Sequence, residues 1–256
     1  MILAIDIGNT NICVGCLDEK QIYFAEQLST EVQKTDLEYA ISIKNILEIY
    51  DIAPASIEGA ILSSVVPPLS RALRKAVEKV IRKPTLIVGP GLKTGLNIQI
   101  DNPAQLGSDL VVDAVAGLAA YPLPLIIIDM GTATIFSVLN EKGAYIGGAI
   151  LPGLHVSLDS LVSSASQLPS ISLEAPRRAI GRNTVDCMKS GILFGTASMI
   201  DGMIDRIEAE LGQKATCVAT GDAATAILPH CRHKILYDKT LVLRGLYLLY
   251  QKNQLK

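Results

Sequence analysis

Tryptophan is missing from this chain of 256 residues, and aromatic residues make up only 4% of it, so any core must be built from aliphatic side chains. No stretch of about eighteen uncharged apolar residues occurs, which argues against a membrane-spanning helix. Basic residues are neither abundant nor clustered. The 23 Lys and Arg stand against 25 Asp and Glu, and a net charge of −2 offers no footprint for nucleic acid. The first residues enter an apolar segment with no basic leader before it, so a cytoplasmic protein is expected. Five cysteines in a chain of this length do not make a disulfide framework. Cys13 and Cys16 form a C-x-x-C, but a step of three along a strand sends the two thiols to opposite faces, and plain packing is the expected role. His230-Cys231-Arg232-His233 groups ligand-type residues without a second pair near it in sequence, and reads as a surface loop. What is left, 49% hydrophobic and 19% charged, is the composition of a folded protein of one large domain or two modest ones.

The chain is organised around Leu3-Ala4-Ile5-Asp6-Ile7-Gly8-Asn9-Thr10-Asn11. The apolar run predicts a buried strand, and Asp6 stands in it where a carboxylate needs a partner or a metal. Gly8-Asn9-Thr10-Asn11 predicts a tight turn using positive φ, leading into a second strand over residues 12–17. Backbone N–H groups on such a turn suit an oxyanion such as phosphate, although an ordinary hairpin with a solvated Asp fits this stretch equally. The plan recurs at Ile126-Ile127-Ile128-Asp129-Met130-Gly131-Thr132-Ala133-Thr134, about half a chain later. With a one-residue slip the similarity continues from Leu17-Asp18-Glu19-Lys20 to Leu139-Asn140-Glu141-Lys142. Two copies of one unit would set two carboxylates and two sets of donors around a metal-bound polyphosphate, while chance likeness of two hairpins is the alternative.

Between the repeats, a third strand over 22–28 precedes a helix carrying Leu37, Ala40, Ile41, Ile46 and Leu47, capped by Thr35 or Asp36. A strand over 59–65 stops at Pro67-Pro68, where a helix toward Arg82 begins. The loop Gly89-Pro90-Gly91-Leu92-Lys93-Thr94-Gly95 is neither a P-loop nor a dinucleotide fingerprint. A helix over about 107–121 and a hinge at Tyr121-Pro122-Leu123-Pro124 close the first half. The second half predicts strands to Ile150, a helix after Pro152-Gly153, a loop over 163–182 and a long helix over 184–211. Gly191 and Gly195 in that helix permit close approach of a neighbour. A strand over 216–219, a helix over 221–228 and a last helix over 240–253 follow. The class is α/β with mixed sheets.

Six motifs in order resemble those of the type III pantothenate kinases, of the acetate kinase–sugar kinase–Hsp70–actin superfamily. They are Asp6-x-Gly8-Asn9-Thr10-Asn11, the loop at 89–95, Asp101-Asn102-Pro103-Ala104-Gln105-Leu106-Gly107-Ser108-Asp109, Asp129-x-Gly131-Thr132-Ala133-Thr134, Gly147-Gly148-Ala149-Ile150-x-Pro152-Gly153 and Gly181-x-Asn183-Thr184 with Met188, Ser190 and Gly191. The resemblance implies duplicated actin-like (ribonuclease H-like) lobes, 1–121 and 122–256, each a mixed sheet flanked by helices, with a cleft between them. It implies transfer of the ATP γ-phosphate to pantothenate, the first step toward coenzyme A. Asp109 would be the general base, with a helix N-cap as the bland reading of the same residue. Asp6 would orient Mg²⁺. Gly8, Asn9, Thr10, Asn11, Gly131, Thr132 and Thr134 would hold nucleotide phosphates. Ile100, Gly107, Ser108 and Asp109 would bind pantothenate, joined by Thr184 lent across a homodimer interface. Asp129 would bind a monovalent cation, K⁺ or NH₄⁺.

The chain departs from that pattern at Leu110, where Arg is usual, at Ile100 in place of Tyr, at Ile135 and Ser137 in place of Thr and Asp, and at Asp222 in place of a Gly near the adenosine. Asp222 is read as a first-turn residue of its helix that also opposes the nucleotide. These departures favour a second reading, a catalytically weak paralogue that binds a ligand or regulates transcription. Asp6, Asp109, Asp129 and Thr184 favour the enzyme.

Overall fold

The computed structural model describes residues 1–254. The opening run is strand β1 (Ile2–Ile7), which turns through Gly8, Asn9 and Thr10 into β2 (Asn11–Leu17) and then β3 (Ile22–Ser29). Helix α1 (Asp36–Ile49) starts at Thr35, whose hydroxyl accepts the Glu38 N–H while the Glu38 carboxylate accepts the Thr35 N–H. β4 (Ala60–Ser64), α2 (Pro67–Ile81) and β5 (Thr85–Ile87) complete a five-stranded sheet of order β3-β2-β1-β4-β5. In it β1 runs antiparallel to β2 and parallel to β4. Proline starts α2, where a missing N–H costs nothing, and left-handed Arg82 ends it.

The chain forms two compact units. The first holds residues 1–96 and 101–119 together with the chain from Thr240. Asn97–Ile98, a two-residue strand β6, belongs to the second unit, while α3 (Ser108–Ala120) belongs to the first through Ala119. The second unit continues with β7 (Leu125–Met130), β8 (Ala133–Leu139), β9 (Ala144–Pro152), α4 (Leu154–Ser164) and α5 (Thr184–Leu211). β10 (Thr216–Thr220), α6 (Ala224–Ile227) and β11 (Leu236–Tyr237) follow, and the sheet order is β11-β10-β7-β8-β9-β6. Again the hairpin pair is antiparallel and the next neighbour, β10, is parallel to β7.

The pleat of β1 divides its side chains between two cores. Leu3, Ile5 and Ile7 pack with α1 and α2, while Ile2 and Ala4 pack with Val112 of α3 and with the last helix, α7 (Leu241–Asn253). That helix was expected with the second half, and the structure places it in the first unit. Leu243, Leu246, Leu249 and Tyr250 are buried there against Ile2, Ala4, Leu17 and Ile61. Without α7 much of that face would meet water. Gly15 and Gly59 make room, since a β-carbon on either would collide with Leu243 or Tyr250. The tip of α7 also fastens the loop at 89–95: the Asn253 amide accepts the Lys93 N–H and donates to the Lys93 carbonyl, both at 2.9 Å. Cys16 is buried in the α1–α2 core and Cys13 packs on the opposite face, and burial pushes the Cys16 thiol up to about 11.

Three local expectations change. Neither Gly8 nor Asn9 adopts positive φ. The helix over 221–228 shrinks to the four residues of α6 and a 3-10 turn at Leu228–His230. Gly221 has φ of 89° and Pro229 lies in the 3-10 turn, so the α conformation is blocked at both ends. β6 and β11 are two residues each, too short to show a period.

Candidate active site

Within the first unit, Asp6 lies on the β1 face that α3 covers, because it alternates with Ile5 and Ile7. Its register partner on the parallel neighbour β4 is Ser63. The Ser63 hydroxyl donates to the Ser108 hydroxyl at 3.0 Å. Ser108 in turn accepts the Ser64 N–H at 3.2 Å and donates to the Ser64 carbonyl at 3.1 Å. Three polar contacts therefore clasp the first residue of α3 to the carboxyl end of β4, beside the carboxyl end of β1. Open sheets place ligands at that end of their parallel strands. Asp109 follows immediately. It is the second residue of α3 rather than an N-cap, and its Oδ1 accepts the Leu110 N–H at 2.9 Å. Burial holds its carboxyl above the usual aspartate range, against the opposing pull of the Leu110 and Asp109 N–H groups. Gly107 supplies the space: a β-carbon there would stand 2.5 Å from Asp109 Oδ1. Leu110, the next residue, is 9% exposed and counts among the buried apolar side chains.

The turn after β1 is held from behind. Thr30 donates its hydroxyl to the Gly8 carbonyl at 2.7 Å and its N–H to the Thr10 carbonyl at 2.9 Å. The Gly8 N–H goes to the Asn11 carbonyl, so Gly8 does not offer that group to an oxyanion. Asn9 and Thr10 are exposed and Asn11 is half-buried.

In the second unit, half-buried Asp129 pairs in register with Ile135 on β8 and Thr220 on β10. The strand end is closed by main chain rather than hydroxyls. Gly153, which caps α4, donates its N–H to the Thr132 carbonyl at 3.0 Å. A β-carbon on Gly153 would lie 2.3 Å from the Gly131 oxygen and 2.5 Å from the Thr132 oxygen. Gly221 approaches the same turn from β10, where a β-carbon would meet the Met130 backbone at 2.6 Å. Gly131 and Thr132 are exposed, but Thr134 is 1% exposed and its side chain faces the interior. Ser137 is also buried, 3.3 Å from the Tyr145 hydroxyl. Ile135 is half-buried. Ile100 lies in the short 97–100 segment of this unit, half-buried. Asp222 is exposed and precedes α6 instead of belonging to its first turn, which removes the expected helix-dipole role. Burial and then the nearby Asp222 carboxylate push the Tyr237 hydroxyl up, which marks β11 as its neighbour.

Thr184 opens α5 and is exposed. Asn183 caps it by accepting the Asp186 N–H at 2.9 Å. Ser63 and Ser64 signal themselves in the sequence only as paired serines at the end of an apolar strand. Gly153 stands in one of the six motifs, but its close approach to the Gly131–Thr132 turn, like that of Gly221 to Met130, shows only in the fold.

A family model described as type III pantothenate kinase matches residues 2–206. A type III pantothenate kinase of Bacillus cytotoxicus is 42% identical over 253 residues, covering 99% of this chain and 97% of that protein. Among solved structures, a conserved putative Baf family transcriptional activator from Campylobacter jejuni superposes with a TM-score of 0.62 at 19% identity, covering 98% of each chain. The (R)-2-hydroxyglutaryl-CoA dehydratase component A of Acidaminococcus fermentans gives 0.57 at 17%, covering 97% and 96%. At those identities the two structures speak for the fold alone, an actin-like one.

Proposed function

The chain belongs to the type III pantothenate kinase family, and we propose that it moves the γ-phosphoryl group of ATP to the primary hydroxyl of pantothenate with Asp109 as general base. The observation that carries this reading is the serine clasp. It fixes Asp109 at the carboxyl end of the parallel strands, on the face that bears Asp6. There a carboxylate of raised proton affinity can accept the hydroxyl proton as that oxygen attacks the γ-phosphorus. The bond from phosphorus to the bridging oxygen breaks and ADP leaves.

Half-buried Asp6 presents a hard carboxylate oxygen, which fits Mg²⁺ arriving with ATP. Bound magnesium neutralises charge on the phosphate oxygens. Asn9, Thr10 and Asn11 of the first unit and Gly131 and Thr132 of the second are the residues we assign to phosphate binding. Asp129 stands beside the turn at Gly131, and its carboxylate offers the hard oxygen that suits a monovalent cation such as K⁺. Pantothenate is held by Gly107, Ser108, Asp109 and Ile100, and by Thr184 of a second copy in a cytoplasmic homodimer. The exposed side of α5, with open space over Gly191 and Gly195, is the surface offered for pairing.

A coupled assay of ADP release with ATP, Mg²⁺, K⁺ and pantothenate tests the reading. Asp109→Asn should lower kcat by about 100- to 10,000-fold while ATP binding by calorimetry stays unchanged. In the unsubstituted enzyme the rate should fall on acidification, because protonation removes the base, and the fall should begin above the usual aspartate range. Turnover within a few-fold of the parent would reduce Asp109 to a positioning group.

A further inference from the structure

We propose that Asp205, Glu208 and His233 form a binding site for one zinc-class divalent ion, away from the residues assigned to phosphoryl transfer. Asp205 and Glu208 are three residues apart on α5 and so share one face of that helix. His233 comes from the segment between the 3-10 turn at Leu228–His230 and β11. One donor atom from each lies within 4.8 Å of the others, and His233 Nε2 is 2.9 Å from Asp205 Oδ1. Donors on one tetrahedral ion, at about 2.0–2.2 Å from the metal, are separated by about 3.4 Å, so small side-chain adjustments close the set. One imidazole with two carboxylates and a water selects zinc and its neighbours; magnesium prefers oxygen alone.

The histidine is held in place independently of any ion. Asp201, only 2% exposed, spends its carboxylate on the backbone N–H groups of Arg232 and His233 at 2.9–3.0 Å. Burial alone would raise its proton affinity, but those donors outweigh it and keep the group ionised. The His233 ring is thereby delivered to α5. Glu208 is 7% exposed, and its oxygens accept the Ala215 N–H at 3.0 Å and the Lys214 ammonium at 2.6 Å. The Lys214 side chain is 82% exposed, so it can swing into water and surrender its place to a doubly charged ion. Lys214 is then a competitor for the site, and removing it should strengthen metal binding.

The test is calorimetric titration of chelator-treated protein with zinc alone. The expected result is one ion per chain at low micromolar concentration. His233→Ala and Asp205→Asn should each weaken binding by about tenfold or more, and Lys214→Met should tighten it severalfold. Both ligand substitutions lie at partly exposed side chains, and an unchanged circular dichroism spectrum confirms that they fold. Cys187→Ser, which removes the exposed thiol, should leave stoichiometry and affinity alone. No binding up to about 100 µM, ligand variants that bind like the parent, or loss of the ion in Cys187→Ser would each overturn the proposal. Because nucleotide and pantothenate are absent, failure here says nothing against the kinase reading, and failure of the kinase reading says nothing against this site.

Discussion

The two units carry the same hairpin, buried residue for residue alike. β1 and β7 each bury four residues, half-bury the Asp and bury the next; β2 and β8 also match, and the pairings of β2 with β3 and of β8 with β9 slip register just before Leu17 and Leu139. The one-residue offset between the copies lies in the turn: three residues separate β1 from β2 and two separate β7 from β8. What differs is the closure of the strand ends. In the first unit it is made by serine hydroxyls that hold the start of α3, the helix that carries Asp109. In the second it is made by glycines that let main chain approach main chain. One scaffold thus ends in side-chain hydroxyl contacts in one copy and in close main-chain contacts in the other.

The largest break in that comparison should come from Gly221→Ala. The substitution meets both a left-handed φ and the Met130 backbone, so destabilisation of about 2–4 kcal/mol is expected. Urea unfolding followed by circular dichroism reads this directly, and a midpoint shift corresponding to less than about 0.5 kcal/mol would show that the turn relaxes easily. Ser108→Ala should cost less, about 1–2 kcal/mol, because three neutral contacts are lost at a half-buried position. Its more telling readout is kinetic. Turnover should drop while ATP affinity holds, since α3 carries the base; unchanged kcat would mean that Asp109 is positioned without the clasp. The smallest effect is expected at exposed Asp222. Asp222→Gly should tighten ATP binding by about twofold to fivefold at low salt and less at high salt. Equal or weaker binding would show that the nucleotide does not pass this turn.

How much of this could be read beforehand follows from range. Helix boundaries were legible to within a residue or two where a local signal exists, as at Thr35 with Glu38, at Pro67-Pro68 and at Asn183 before Thr184. The repeat was legible because Asp6 and Asp129 interrupt apolar strands in the same way. The serine clasp was not, since Ser63 and Ser108 are 45 residues apart and meet only through β4 and α3. Asp222 was misplaced because a helical pattern hid the left-handed Gly221. Leu110 looked like a damaged binding residue, yet its side chain is core. Sequence shows that an Arg is missing there; only the fold shows what Leu does instead. The histidine cluster read as an isolated loop because Asp205 and Glu208 approach it from a helix nearly 30 residues earlier.

The return of α7 to the first unit sets the order in which the molecule can be completed. β1 and β4 are made well before α7, and the part of their second face that Leu243, Leu246 and Tyr250 cover stays open until those residues have emerged. The second unit is contiguous over 120–239 apart from the short 97–100 segment, and all of it is available before that helix exists. The first unit is therefore completed only after the second has been made. A nascent chain stalled before residue 240 should be cut readily by protease in its first hundred residues while its second unit resists.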